Sequence, residues 1–357
     1  MTTTSERVSE ALTRQVSKVS QSVFDGSSLR VVLLVDVYDG AQQQFLEAYE
    51  QLCSQVAAVP GHVSDQLCQS IENPSQWLIT SEWESAPPFL AWVNSEEHVQ
   101  MVQPLHSCVR NTRSLRFHVV RETGTAAGQS QPHRLQTSPR IGDGVIRHAL
   151  TFTVKPGSER EVAKLLSNYA SPEAQVDDTT RLCRTSLFMH GNRVVRAIEV
   201  RGDLLSALRH VAQQPEVRAV EEAINPYLEQ DRDLNDQASA RVFFTRAALP
   251  AVHHVMSDEL SEGERSALYY PAKPGQGMRL AELLAQVDET AVEVADAPVL
   301  RSTIFQRDDV VVRLVDVRAG RSVDVLPESA AGAELKSLLY GGAVRMDLIT
   351  DRRSPDA

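Results

Sequence analysis

The chain has 357 residues, of which 42% are hydrophobic and only 5% aromatic, so it is long enough for two or three small globular cores and is not disordered throughout. The formal net charge of -11, with no basic cluster, excludes nucleic acid and anionic membrane surfaces as partners. Apolar runs such as Val31 to Val35 are too short to cross a bilayer, and the polar N-terminus lacks the apolar core of a signal peptide. We therefore expect a cytoplasmic protein.

The cysteines show neither CxxC spacing nor a paired framework. They are Cys53, Cys68, Cys108 and Cys183. This usage is typical of free thiols in a reducing compartment. We predict neither a disulfide nor a zinc site.

Residues 1–28 are rich in Ser, Thr and Gln and are predicted to be a flexible leader. Apolar residues nonetheless recur there every three or four positions, at Val8, Leu12, Val16, Val19 and Val23. A short amphipathic helix is the alternative, although a helix of this length is marginal on its own.

Residues 29–121 form the first predicted domain, in the order strand, helix, two strands, helix, strand. Its elements are a strand at Val31 to Val37, a helix carrying Phe45, Leu46, Tyr49 and Leu52, strands at His62 to Ser70 and Trp77 to Trp83, a helical stretch from Pro88 to about Val109, and a strand at Leu115 to Val120. A polar stretch rich in Gly, Pro, Ser and Gln then predicts a linker over residues 122–144.

The sequence after the linker repeats itself. RHALTFTVKPG at Arg147 to Gly157 returns as RSALYYPAKPG at Arg265 to Gly275, and RTSLFMHGNRVVRAIEVRG at Arg184 to Gly202 returns as RSTIFQRDDVVVRLVDVRA at Arg301 to Ala319. Two domains follow, at residues 145–258 and 259–350, with a tail at 351–357.

Each repeat reads as a strand, a Pro-Gly turn, an amphipathic helix and a β-hairpin. In the first repeat we predict a second helix at Leu204 to Ala212 and a last strand at Ala240 to Phe244. In the second repeat the second helix, around Ala330 to Leu339, is shorter, so this copy is predicted to be degenerate.

The predicted fold class is α+β, with three tandem ferredoxin-like (βαββαβ) units. A four-stranded sheet with both helices on one face leaves its other face bare, so such units pair through their sheets, as in dimeric α/β-barrels. Units two and three can pair within the chain, whereas unit one needs a second chain. We therefore expect a homodimer through the N-terminal domain.

Sequence motifs in each part resemble known families. The segment Pro60 to Val99, with its Pro-Gly strand start and its SEWES strand end, resembles the antibiotic biosynthesis monooxygenase (ABM) family. The middle unit resembles tetracenomycin-type polyketide cyclases around SLFMHGNRVVRAIEV, and residues 145–350 resemble the SchA/CurD-like proteins of aromatic polyketide clusters.

The resemblance implies a bifunctional enzyme that acts on a polycyclic aromatic polyketide intermediate. The N-terminal domain would oxidise a phenolic ring with O2 as co-substrate and with no flavin, haem or metal, and the C-terminal part would close a ring. Two alternatives stay open: a cyclase whose N-terminal domain only dimerises, and a non-catalytic scaffold that binds the polyketide.

Such oxidation needs a dry aromatic pocket and a base that favours the phenolate. Alternation along two neighbouring strands predicts one pocket lined by His62, Gln66, Trp77 and Trp83, with His62 as the base. The alternative places both tryptophans in the core and His62 at a strand end.

In the cyclase-like part, Arg196 lies on an otherwise apolar strand face, and Arg313 repeats this arrangement. Arg196 either stabilises an enolate, phenolate or carboxylate of the polyketide or forms a structural ion pair. His148 is either a general base or a satisfied core histidine, and Tyr227 is a candidate donor to a substrate carbonyl.

Two histidine pairs invite a metal or haem interpretation. His98 and His106 lie eight residues apart in the helical stretch, but no second motif supports haem. His253 and His254 are adjacent, so their side chains point apart on a strand, and no third ligand accompanies them. We predict no metal site.

Overall fold

The computed structural model describes residues 19–120, 142–168, 170–257, 263–292 and 297–354. They belong to two compact units, which we call the small unit, residues 23–139, and the large unit, Met1–Ser22 with Arg140–Ala357. The first strand, β1 (Val19–Ser22), belongs to the large unit. In the part of the chain so described, no helix is long and apolar enough to cross a membrane.

The small unit is one antiparallel sheet with helices on one face. Its elements are β2 (Leu29–Val37), α1 (Gln42–Val56), β3 (His62–Gln69), β4 (Gln76–Trp83), α2 (Ala86–Val93), α3 (Glu96–Met101), α4 (Gln103–His106) and β5 (Val109–His118). The strand order is β3-β4-β2-β5. This βαββαβ order is the ferredoxin-like arrangement predicted for the first domain.

Alternation along β2 explains which face of this sheet is covered. Val35 and Val37 point towards the helices and pack with Phe45 of α1 and Trp77 of β4. The opposite face has no helix, and Leu34 on it is 43% exposed. The sheet of the small unit therefore has one face buried beneath the helices and one exposed apolar face.

The large unit contains both sequence repeats. The first repeat comprises β6 (Val145–Thr153), α5 (Glu159–Ser167), β7 (Arg181–His190), β8 (Arg193–Arg201), α6 (Leu204–Gln213), α7 (Pro215–Ile224), α8 (Gln237–Ala247) and β9 (Ala248–Met256). The second repeat comprises β10 (Gly263–Pro271), α9 (Gly277–Ala291), β11 (Val299–Arg307), β12 (Val310–Arg318), α10 (Ala330–Leu338) and β13 (Val344–Arg353). A short 3₁₀ helix, Asn225–Tyr227, follows α7.

The eight strands β6 to β13 form one closed barrel. Their order is β9-β11-β12-β10-β13-β7-β8-β6, and β6 pairs back onto β9. We expected the two repeats to pair through their sheets as in dimeric α/β-barrels, and in the structure their edge strands hydrogen-bond to each other, β13 to β7 and β11 to β9. Closure leaves the barrel strands without free edges.

Strand alternation divides the large unit into an interior and an outer layer. The interior core lies inside the barrel and includes Ala149, Phe188, Phe305 and Leu314. The outer core lies between the strands and the helices and includes Phe152, Leu187 and Phe243. Most barrel strands thus bury residues on both faces, which stabilises the unit through apolar burial on both, whereas β13 leaves Leu348 48% exposed.

The last strand of the first repeat was predicted wrongly. Ala240 to Phe244 lies inside α8, and the strand is β9. The side chain of Asp236 accepts a hydrogen bond from the backbone N–H of Ala238, which caps the helix. Phe243 and Ala247, four residues apart, then share the buried face of the helix.

The predicted leader and the predicted tail both contain residues that belong to strands. Within the leader expected over residues 1–28, β1 pairs antiparallel with β9; the rest of the predicted leader helix before Val19 lies outside the described residues. At the other end, β13 runs to Arg353, into the predicted tail, because it pairs with β7 as far as Arg184.

Candidate functional sites in the two units

In the small unit, a carboxylate links a histidine to a tyrosine. Nε2 of His62 lies 3.4 Å from Oδ2 of Asp65, and the Tyr49 hydroxyl donates a 2.8 Å hydrogen bond to Oδ1 of Asp65. Burial, together with this hydrogen bond, raises the pKa of Tyr49 above its ordinary value. Tyr49 therefore stays protonated and keeps Asp65 oriented towards His62.

The position of Asp65 fixes what His62 can do. The Asp65 carboxylate accepts no hydrogen bond from Nε2, but its negative charge favours the tautomer that carries the proton on that nitrogen and leaves Nδ1 as the acceptor. The side chain of His62 is only 5% exposed. The arrangement is therefore an oriented base in a nearly dry environment, which suits the abstraction of a phenolic proton.

Aromatic rings surround this histidine. The ring centroids of His62 and Trp83 are 5.2 Å apart in an edge-on contact, and Trp83 also packs against Phe89 and Trp92 at 5.3 and 5.4 Å. Trp92 in turn contacts His98 at 4.5 Å. His62 thus lies against a buried cluster of aromatic rings, in which Trp83 is fully buried and Phe89 is 3% exposed.

The structure does not bring together all four residues of the pocket predicted from strand alternation. A β-bulge between His62 and Ser64 shifts the register, so His62 pairs with Trp83 on the helix side, whereas Gln66 pairs with Thr80 on the opposite, open face. Trp77 lies on the helix side but packs against Phe45 in the core, with ring centroids 5.4 Å apart. The structure brings together His62 and Trp83, and adds Asp65.

The haem interpretation required His98 and His106 on one face of one helix. The structure places them on two short helices, α3 and α4. Among the residues that the structure describes, no group of three or more His, Cys, Asp or Glu side chains could hold a metal ion.

In the large unit, Arg196 points outward from the barrel towards α7. It forms an ion pair with Glu221, which also accepts a 2.7 Å hydrogen bond from Nη2 of Arg232. Burial alone would raise the pKa of Glu221, but the two guanidinium groups lower it below its ordinary value. Arg313 repeats the arrangement with Asp288 of α9. The geometry matches the ion-pair alternative, and the catalytic role of Arg196 stays a prediction.

The other two candidates of the large unit also lie in its outer layer. His148 shares a strand face with Leu150 and Phe152, and burial lowers its pKa to about 4, so it is neutral at pH 7 and a weak base. The ring of Tyr227 packs against the outer core. Neither the general-base role of His148 nor the donor role of Tyr227 is tested by this placement.

One end of the barrel interior is closed by a buried network of ion pairs. Arg265 donates to Asp316 at 2.7 Å and to Glu199 at 2.6 Å, and Arg184 donates to Asp316 at 3.0 Å and to Asp351 at 2.5 Å. Burial alone would raise the pKa of Asp316, but the adjacent arginines lower it to about 2. These charges hold the strands of both repeats together.

A cavity of about 190 Å³ lies at the opposite end of the barrel strands. It is lined by Thr151 from β6, by Arg193 from the first hairpin, by Phe243 and Arg246 from α8, and by Arg307 from the second hairpin. Sequence reasoning missed all three arginines. For two of them the sequence contained a signal, namely a difference between the repeats: Arg193 aligns with Val310, and Arg307 aligns with His190.

Comparison with known proteins gives two family matches. Residues 28–104 match the model of the antibiotic biosynthesis monooxygenase family, and residues 145–257 match the SchA/CurD-like domain. Among solved structures, SnoaB, a cofactor-independent oxygenase from Streptomyces nogalater, is 16% identical and covers 30% of this chain and 98% of its own, with a TM-score of 0.24.

Three curated relatives match over nearly their whole length. A 42.8 kDa protein in the whiE locus of Streptomyces coelicolor is 60% identical over 98% of this chain and 86% of its own length. Protein SchA of Streptomyces halstedii is 57% identical over 98% and 99%, and polyketide synthase CurD of Streptomyces cyaneus is 58% identical over 94% and 97%.

Fold and sequence together define an α+β protein with a ferredoxin-like domain and an eight-stranded barrel. The chain belongs to the SchA/CurD-like family and carries an antibiotic biosynthesis monooxygenase domain in its N-terminal part. Of the three resemblances drawn from the sequence, those to the ABM family and to the SchA/CurD-like proteins are thereby confirmed.

Proposed function

We propose that this protein is a bifunctional tailoring enzyme of aromatic (type II) polyketide biosynthesis. The small unit would carry out O2-dependent hydroxylation or quinone formation without a flavin, haem or metal, and the barrel would carry out regiospecific ring closure. The family membership supports the polyketide substrate, since one relative is named a polyketide synthase. The oxidation rests on a single observation, the contact of His62 with Asp65 beside Trp83.

The proposed oxidation step needs no oxidant other than O2. His62 takes the proton of a substrate phenol, and the electron-rich phenolate ring reacts with O2 at a ring carbon. One oxygen atom stays on that carbon as the new quinone carbonyl, and the second leaves as water with the hydrogen of that carbon and the phenolic proton. Asp65 stabilises the imidazolium that forms transiently, as a carboxylate does in catalytic triads.

We further propose that the chain consists of three ferredoxin-like units, of which the second and third share one barrel. The first unit would pair with its counterpart in a second copy through its open sheet face. Exposed Leu34 and Phe117 on that face support this homodimer.

The proposal is tested by incubating the full chain with a phenolic polycyclic substrate in air and under nitrogen. We expect quinone product only in air. His62→Gln should slow oxidation by roughly 10²- to 10⁴-fold, the range for loss of a general base, and Asp65→Asn should slow it less. Glu47→Gln is the matched control, because Glu47 is an exposed residue of α1 that pairs with Gln43.

Two other outcomes would replace the proposal. Identical products in air and nitrogen would mean that the small unit is not an oxygenase and that the protein is a cyclase with a dimerising N-terminal domain. Binding of the substrate without turnover in either atmosphere would mean that the protein is a non-catalytic scaffold.

A further inference from the structure

Two groups of arginines in the large unit differ in whether they recur in both sequence repeats. Four pairs of positions form the first group, which recurs in both repeats: Arg147 with Arg265, Arg184 with Arg301, Arg196 with Arg313, and Arg201 with Arg318. Several of these arginines form ion pairs with carboxylates. Arg184 and Arg265 do so in the barrel network, and Arg313 does so with Asp288. The repeated arginines thus stabilise the fold, which both halves share.

The second group occurs in only one repeat. Arg193 aligns with Val310, and Arg307 aligns with His190. Arg246 lies on α8, whereas the described segment between β12 and β13 of the second repeat contains only the helix α10. All three line the cavity at the end of the barrel strands. The repeat does not account for them, and the observation that points to a function is that all three converge on one concave site.

The cavity is positively charged within an acidic protein. Its lining contains three guanidinium groups and one carboxylate, that of Asp308, which lies 3.7 Å from Nε of Arg307, while the whole chain has a net charge of -11. Phe152 and Phe243 supply apolar walls, and Thr151 and Gln230 supply polar groups. A concave site of this composition suits a ligand that joins an anionic group to a flat apolar body.

Two of the arginines are held in place before any ligand binds. Nη1 of Arg193 donates a 3.1 Å hydrogen bond to the Thr151 hydroxyl, and its guanidinium lies 5.1 Å from the centre of the Tyr269 ring. Arg307 donates to the backbone carbonyls of Thr245 and Ala248, where α8 ends. Preorganised donors lose little conformational entropy on binding an anion.

We infer that this cavity is an oxyanion-binding site, specific for a carboxylate or phosphate group attached to the substrate. The inference rests on the proposed function only for the identity of the ligand. The anion has two chemical sources: the terminal carboxylate of a released aromatic polyketide, or the phosphate of a carrier arm to which the polyketide is still attached.

The test is binding of simple anions to the full chain by isothermal titration calorimetry at low salt. The probes are 2-naphthoate, which is an aromatic carboxylate, and inorganic phosphate. We expect binding that weakens as salt is added. Arg246→Gln and Arg193→Lys should each change the affinity for the anion. Arg246→Gln should lower this affinity roughly tenfold or more, because one charged donor is removed.

The matched control is Arg241→Gln, which removes an exposed arginine from the same helix, α8, but not from the cavity. It should leave binding unchanged. If Arg193→Lys does not fold, Arg246→Gln alone decides, because Arg246 lies on a partly exposed helix. Tighter binding of naphthoate would identify a released acid as the source, and tighter binding of phosphate a carrier arm.

The inference is wrong if neither probe binds at millimolar concentration, or if Arg246→Gln binds as tightly as Arg241→Gln. Because no turnover is needed, these outcomes are separate from a failure of the proposed ring closure. Anion binding with no cyclisation would overturn the proposed activity of the barrel and leave the site in place.

Discussion

Replacing Arg196 with methionine tests whether this residue serves the fold or the reaction. Met keeps most of the aliphatic stem but removes the ion pair to Glu221. Breaking a buried pair by removing one partner costs about 3–5 kcal/mol. Arg232 still donates to Glu221 at 2.7 Å, so we expect a loss of about 2–3 kcal/mol, at or below the lower end of that range.

The assay separates the two units with two optical signals. All three tryptophans, Trp77, Trp83 and Trp92, lie in the small unit, so their fluorescence during urea unfolding reports on that unit. Far-UV circular dichroism reports on both units. Arg196→Met should shift the dichroism transition of the large unit to lower urea and leave the fluorescence transition unchanged.

The matched control is Arg218→Met on α7. Arg218 lies 3.8 Å from Glu222, and both side chains are more than half exposed, so we expect a loss below about 0.5 kcal/mol. The destabilisation by Arg196→Met should also shrink in acid. Folded Glu221 has a lowered pKa, so the pair stabilises the fold above the unfolded pKa and is lost as pH falls through the folded one. Unchanged stability with ring closure abolished would refute this reasoning and assign Arg196 to the chemistry.

Three further outcomes follow from the structure. His148→Gln should reduce the loss of folding stability in acid. The pKa of His148 is about 4 in the folded state and 6.5 in the unfolded state, so the wild type should lose up to about 3 kcal/mol as pH falls from 6.5 to 4. An equal loss in the variant would contradict this. Arg265→Met leaves Glu199 and Asp316 buried without their shared partner and should cost the large unit about 3–5 kcal/mol in the same urea assay; a loss below 1 kcal/mol would argue against the network. Phe117→Glu should convert a dimer to a monomer in light scattering, and a dimeric variant would show that the open sheet face is not the interface.

The sequence predicted the element order well where local chemistry and repetition agreed. Pro-Gly turns and two matching blocks located the barrel strands and their first helices. It failed at Ala240 to Phe244, because the run ARVFF has the composition of a strand, whereas the Asp236 cap and the spacing of Phe243 and Ala247 select a helix.

The candidate site of the small unit was predicted only in part. On a regular strand His62 and Asp65, three residues apart, would face opposite sides, so alternation could not pair them. The bulge after His62 turns both towards the helices. A register shift of this kind depends on how two strands pair, which a single sequence does not show.

The most direct test of the proposed oxidation is the fate of the oxygen atoms. The full chain is incubated with a phenolic polycyclic substrate under oxygen labelled with the heavy isotope 18O, and product and water are analysed by mass spectrometry. We expect one labelled atom in the quinone and one in water for each O2 consumed, with both signals strongly reduced in His62→Gln. A quinone that forms without label, or label that is incorporated equally by the wild type and His62→Gln, would contradict oxidation by the small unit.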